Sequence, residues 1–241
     1  MDYSAAVLIV HTLPQVDERL KSLRDGPAGR QNMSFGFLAF DGLEELDLIG
    51  PWELIAKWSL HLGGPAPCTV IAPSMAAVTC ANGLVIQPHT DFAAAPPLDY
   101  LLVPGGIGTL REVDNPPTID FLQRVGPGCK ALLSVCTGAF LLQRAGLAEG
   151  AALTTHWGSL QRLRDSGHPR VVERRWVHDG RIWSSAGVSA GMDMALAFIA
   201  QTAGEDVAFR VQFGTEYFPE GRRYGDPAAH PQAPDYLKQA R

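Results

Sequence analysis

One cysteine of this chain stands where nucleophilic chemistry could be built. The run Lys130-Ala-Leu-Leu-Ser-Val-Cys136-Thr-Gly-Ala-Phe-Leu-Leu-Gln143 passes from a short apolar stretch through a Thr-Gly pair into a stretch that reads as a packed helix. Residues 131–135 have the continuous apolar character of a buried strand, so Cys136 falls at a strand-to-helix bend of the kind that presents a nucleophile at a sheet edge. A thiol at a helix N-terminus meets unpaired N–H groups and the positive end of the macrodipole, which predicts a depressed pKa and a thiolate. Taken alone, such a cysteine would read as a small core residue. A second signal lies upstream in Asp99-Tyr-Leu-Leu-Val-Pro104-Gly105-Gly106, another buried strand that ends in a glycine pair. Glycines let a backbone approach closely and turn its N–H groups on an anion. Two such strand ends predict one shared site, outside the carboxyl ends of the strands of a doubly wound sheet.

The elements that must position these residues follow from hydrophobic patterning. Strands are predicted at 35–40, 69–72, 99–103 and 131–135, and a short extended piece at 151–155. Helices are predicted at 52–60, with Pro51 in the first turn, and at 116–125, 138–145, 159–165, 190–202 and 205–217. Asn82-Gly83 and Asp179-Gly180 mark hairpins over 77–88 and 171–185. Strands alternating with helices mean an α/β fold, with a mostly parallel central sheet and helices on both faces. Asp47 then falls just after the first strand, near the carboxyl edge, and by residue type alone it reads as a helix cap.

At 241 residues with 46% hydrophobic content, the chain suits one large domain. Residues 33–220 read as that domain, 1–32 as an N-terminal extension joined through Gly26-Pro-Ala-Gly29, and 221–241 as a Pro-rich, extended or partly disordered tail. A net charge of −5 without a clustered basic patch argues against a nucleic-acid surface. No apolar run approaches the roughly 20 residues that a bilayer demands, and Met1 to Val10 lacks the charged start of a signal peptide. The cysteines, Cys68, Cys80, Cys129 and Cys136, show neither a CxxC pair nor zinc-site spacing. The expectation is a cytoplasmic protein with free thiols, no metal and no membrane partner.

Taken together, Leu46-Asp47-Leu-Ile-Gly50-Pro51, Val103-Pro-Gly-Gly106, Ser134-Val-Cys136-Thr137-Gly138, Leu153-Thr-Thr-His156-Trp157 and Ala186-Gly-Val-Ser-Ala-Gly191-Met-Asp193 resemble the ThiJ/PfpI superfamily, and most closely its isonitrile hydratase branch. The resemblance spans roughly residues 33–220. It implies a flavodoxin-like fold related to class I glutamine amidotransferases. Cys136 becomes the nucleophile, Asp47 its acid/base partner and Thr137 a helper. The Gly106 and Thr137 N–H groups become the anion-receiving hole.

The branch implies hydration of an isonitrile to an N-substituted formamide, with no cofactor, a small-molecule substrate and a homodimeric assembly. Gly50, Gly105, Gly106, Ile107 and Trp157 are the expected substrate contacts, with Ile49 and Trp52 further expected in the pocket wall. His156 reads equally as a site member and as a structural histidine. Peptidase-like members of the superfamily place histidine directly after the cysteine, and here that place holds Thr137. The other readings are a ligand-sensing domain related to AraC-type regulators and glyoxalase or deglycase chemistry.

Overall fold

The computed structural model describes residues 33–168, 170–219 and 224–239, so the extension at 1–32 lies outside the described residues. Seven strands form the main sheet in the order β5-β2-β1-β6-β7-β9-β8. They are β1 (Phe35–Leu38), β2 (Cys68–Ala72), β5 (Thr90–Asp91), β6 (Tyr100–Val103), β7 (Ala131–Val135), β8 (Trp176–Asp179) and β9 (Ile182–Ser185). Every pairing is parallel except β8 with β9. The central strands β1, β6 and β7 are buried along their whole length, which is why they read as unbroken apolar runs without alternation. Two further strands, β3 (Val78–Thr79) and β4 (Val85–Ile86), pair as the hairpin that Asn82-Gly83 predicts.

The helices divide into two layers. On one face α1 (Glu45–His61), α6 (Ala190–Ala203) and α7 (Glu205–Gly214) pack on each other, with α6 also against β7 and β9. On the other, α4 (Gly138–Arg144) meets β6, β7 and the neighbouring α2 (Thr109–Glu112) and α3 (Pro116–Val125). A short α5 (Leu160–Asp165) follows the Thr-Thr-His-Trp segment. The apolar core is seeded by edge-to-face aromatic contacts of Phe198 on α6 with Phe35, Tyr100 and Trp183.

Two local readings are corrected. The first helix begins at Glu45 rather than Trp52, so Pro51 sits inside α1 and Asp47 in its first turn. A proline at 51 cannot donate to the carbonyl four residues back, so this interruption falls on Asp47 itself. The tail, expected to be extended or partly disordered, carries a turn of 3-10 helix (Pro227–Ala229) and a helix α8 (Asp235–Gln239) within residues 224–239. It is held to the domain by the Asp235 N–H on Glu173 Oε1 at 2.8 Å and by an edge-to-face contact of His230 with Trp157.

Candidate active site

Cys136 follows β7 directly and has φ 55°, a left-handed conformation that side chains rarely adopt. Its N–H is tied to the carbonyls of Ser185 and Ala186, and its carbonyl accepts the Thr155 hydroxyl at 2.7 Å. The end of β9 and the Thr155 hydroxyl therefore hold the bend in place. The strand-to-helix bend that the sequence predicts is thus present at Cys136. The side chain is buried, with only 6% of the residue exposed.

The glycine pair after β6 closes on it from the other side. A Cβ at Gly105 would lie 2.5 Å from the Thr137 nitrogen and 2.9 Å from the Cys136 Cβ, so only glycine permits this approach. Gly106 takes φ 124°, where any side chain would also run into the Glu44 nitrogen at 2.3 Å. The amides of this loop have specific tasks. Gly105 N–H donates to Asp47 Oδ2 at 2.9 Å, and Gly106 N–H donates to the Thr137 hydroxyl oxygen at 3.0 Å. The same hydroxyl lies 3.0 Å from that of Thr109. The expected hole made of the Gly106 and Thr137 amides is thus corrected: the Gly106 donor is committed to Thr137. The polar groups that favour a charged sulfur are the Thr137 N–H and hydroxyl and the Val188 N–H.

Asp47 is fully buried, and its Oδ1 has no hydrogen-bond partner among the described residues. Burial pushes its pKa up to about 8, and the nearby Glu44 carboxylate adds to the rise. The Gly105 N–H and contact with the Cys136 thiol offset only part of it. Asp47 is accordingly a neutral acid at neutral pH. The thiol is not the expected thiolate. Burial pushes Cys136 up to about 12, Asp47 adds to the rise once its carboxyl has ionised at higher pH, and the surrounding donors do not compensate. The helix-terminus argument fails because α4 is short and the sulfur is taken out of water, where desolvation outweighs a partial charge. Cys80 and Cys129 are also pushed up, to about 11, by burial.

A pocket of about 270 Å³ opens over the sulfur, lined by Glu44, Gly106, Ile107, Thr109, Leu110, Cys136, Thr137, His156, Ser159, Arg162 and Val188. His156 belongs to it. Its Nδ1 accepts the Gly158 N–H at 3.2 Å, its Cδ2–Nε2 edge rests on Gly187, and partial burial lowers its pKa, so it forms a neutral wall. Ile107 lies at the exposed rim. Gly105 and the fully buried Asp47 are not among the residues that line the pocket, and neither are the other expected contacts. Gly50 faces Met192, where it lets α1 and α6 approach, and Trp52 packs on Phe37 and His89. Ile49 is surface-exposed on α1, and Trp157 sits behind His156 against the tail.

Val188, Thr109, Glu44 and Arg162 were not singled out from sequence. Only Val188 has a conformation that makes it conspicuous, φ 34° for a β-branched residue, and its residue type conceals this. Among the described residues no cluster of histidine, cysteine or carboxylate side chains could hold a metal ion, and no helix is long and apolar enough to cross a membrane.

A profile described as the DJ-1/PfpI family matches residues 33–201, which include every residue that lines the pocket. The chain belongs to the DJ-1/PfpI family. Among relatives of this family, an isonitrile hydratase of Pseudomonas putida is 34% identical over 190 residues, covering 78% of this chain and 79% of that protein. The HTH-type transcriptional regulator GbdR of Pseudomonas aeruginosa is 31% identical over 186 residues, covering 76% of this chain but 50% of the regulator. In structure, a ThiJ/PfpI family protein from Pseudomonas syringae superposes with a TM-score of 0.75 at 29% identity, covering 97% of this chain and 92% of that one.

Proposed function

We propose that this DJ-1/PfpI protein hydrates an isonitrile to an N-substituted formamide. The observation that carries the reading is the buried, neutral Asp47 carboxyl beside the Cys136 thiol, with one oxygen fixed by Gly105 and the other without a hydrogen-bond partner among the described residues. An isonitrile needs a proton and a nucleophile at the same terminal carbon, and this pair offers both.

In the first step Asp47 gives its proton to the terminal carbon of R–N≡C while Cys136 Sγ bonds to that carbon, and the thiol proton passes to Asp47. The product is a thioimidate, R–N=CH–S–Cys136. Because the thiol loses its proton only as the carbon–sulfur bond forms, its raised pKa is compatible with reaction at neutral pH. Water then adds to the thioimidate carbon, one of its protons going to nitrogen. The C–S bond breaks, the remaining hydroxyl proton moves to sulfur and R–NH–CHO leaves. Thr137, itself braced by Gly106 and Thr109, and the Val188 amide steady the sulfur throughout. The small pocket with Ile107, Leu110 and Val188 in its wall suits an apolar R group next to the reacting carbon. We further propose that two copies associate, as symmetric dimers are the commonest oligomers.

The test is incubation of the protein with cyclohexyl isocyanide, following the formamide by mass spectrometry. Formamide formed by the wild type and absent with Cys136→Ala supports the reading. Binding of the isonitrile without formamide overturns it in favour of a sensing domain, and turnover of methylglyoxal alone in favour of carbonyl chemistry.

A further inference from the structure

Arg162 lines two cavities at once. One is the pocket over Cys136, and the other is a larger cavity of about 360 Å³ lined by Val113, Asp114, Phe140, Gln143, Arg144 and Ser166. The nucleophile's pocket and this second space therefore meet at one guanidinium. That guanidinium lies over the ring of Phe140, with Cζ 4.5 Å from the ring centroid. A guanidinium stacked by its face keeps its N–H donors in the plane, directed outward from the stack. Phe140 is buried, so it forms a fixed platform rather than a mobile partner. No hydrogen bond or ion pair joins the Arg162 guanidinium to another described residue. The other charges of the second cavity largely answer each other, since Arg144 Nε lies 3.8 Å from Asp114 Oδ1 and also donates to the Val113 carbonyl. What remains is an unmatched positive group at the junction.

The wall of the Cys136 pocket also carries a group of the opposite sign. This is Glu44, whose charge acts on both Asp47 and His156. An anion beside the sulfur is therefore opposed, whereas an anion at Arg162 is favoured. Resting on the hydratase reading, we propose that the substrate is an isonitrile with a carboxylate at the distal end of R, and that Arg162 is the residue that selects it. The reacting carbon sits on Cys136, an apolar spacer passes Leu110 and Ile107, and the carboxylate meets the in-plane N–H groups of Arg162 at the entrance to the second cavity. A carboxylate fits the guanidinium fork as a two-point contact, which a neutral ester cannot reproduce.

The experiment compares ω-isocyano carboxylates of increasing chain length with their methyl esters. A charge-assisted two-point contact, made by an arginine that is exposed before the ligand arrives, predicts a preference in kcat/KM for the acid of up to about tenfold at the best chain length. In Arg162→Gln this ratio should fall towards unity, while Arg164→Gln, on the exposed side of α5, should leave it unchanged. A wild-type ratio near one, or a ratio that survives Arg162→Gln, overturns the assignment.

A second arm does not depend on turnover. ω-Formamido carboxylates and their methyl esters are tested as protectants of Cys136 against iodoacetamide, read by peptide mass spectrometry. The acid should protect at about tenfold lower concentration than the ester, and only with Arg162 present. Protection of this kind without hydration of any isonitrile would overturn the hydratase reading and leave the carboxylate site standing. Equal protection by acid and ester, or none by either, would overturn the carboxylate site.

Discussion

Two pieces of backbone reach Cys136 from opposite sides, and they are built by opposite means. The loop after β6 uses Gly105 and Gly106, the second at φ 124°, where no side chain would fit. The turn after β9 brings the Val188 N–H to the sulfur with a β-branched residue at φ 34°. The first side is unstrained and intolerant of change, because backbone atoms of Glu44, Gly42 and Thr137 occupy the space that a side chain would need. The second is strained yet has a side chain that lines the pocket. Close approach can thus be obtained by removing atoms or by forcing the chain into a costly conformation, and only the first choice is visible in residue types.

What both sides serve is the sulfur, so the largest effect comes from removing it. Cys136→Ala is expected to reduce formamide production to background, while Cys129→Ala, at a buried position two residues before the start of β7, keeps most of it. Comparable losses from the two variants would mean that the two ends of β7 are not distinct in function.

Asp47 sharpens the comparison because the glycine side holds it through Gly105. Asp47→Asn keeps the size of the side chain and an oxygen for the Gly105 N–H but cannot give a proton, so kcat should fall about 10²–10⁴-fold. The effect on stability has a definite sign. Burial pushes the folded carboxyl up to about 8 from the ordinary aspartate value of 3.8. The folded state therefore holds the extra proton between these values, and the contribution that is fully present below 3.8 is lost as pH rises through about 8. Wild-type Tm should decline across this window more steeply than that of Asp47→Asn, which has no charge to bury. Activity requiring the neutral acid should fall over the upper part of the same window. A rate that climbs through pH 8, with parallel Tm curves for the two proteins, would assign the catalytic proton elsewhere.

Gly106→Ala attacks the intolerant side directly. A methyl group there meets the Glu44 nitrogen at 2.3 Å and the Gly42 carbonyl oxygen at 2.5 Å, both backbone atoms that cannot swing aside. Together with the unfavourable φ, this predicts a loss of at least about 3 kcal/mol in stability. Denaturant unfolding measures it, and a loss below about 1 kcal/mol would show that the loop is more pliant than its contacts imply.

How far the sequence showed these features follows from the same distinction. The parallel sheet was legible because β1, β6 and β7 are buried along their length and so read as short apolar runs between glycine-rich turns. The elbow was legible because the strand, Cys136 and Gly138 are consecutive, and the facing loop because it is made of glycines. Thr109, Glu44 and Arg162 were not legible, since each is a common residue type whose role comes from what the fold sets opposite it. The start of α1 was misplaced because Pro51 reads as a first-turn residue, whereas the helix carries it in its interior. The thiol's protonation was misjudged for a different reason. A helix terminus can be read from residue order, but burial is a property of the assembled site, and here burial decides.

The smallest effect, and the closest test of the comparison, is Val188→Gly. Glycine adopts φ 34° without steric penalty, so the substitution removes a strain of roughly 1–3 kcal/mol. It also removes a half-buried side chain and gives the unfolded chain more freedom, each worth roughly 1 kcal/mol in the opposite direction. These contributions nearly cancel, so Tm should change little. The N–H to the sulfur survives in glycine, so kcat should stay within about tenfold of wild type while KM rises with the enlarged pocket. A glycine at 188 should therefore be tolerated where an alanine at 106 is not. If Val188→Gly instead destabilises the protein as much as Gly106→Ala, the Val188 side chain holds the turn in place through its packing, and the two approaches to Cys136 are equally rigid.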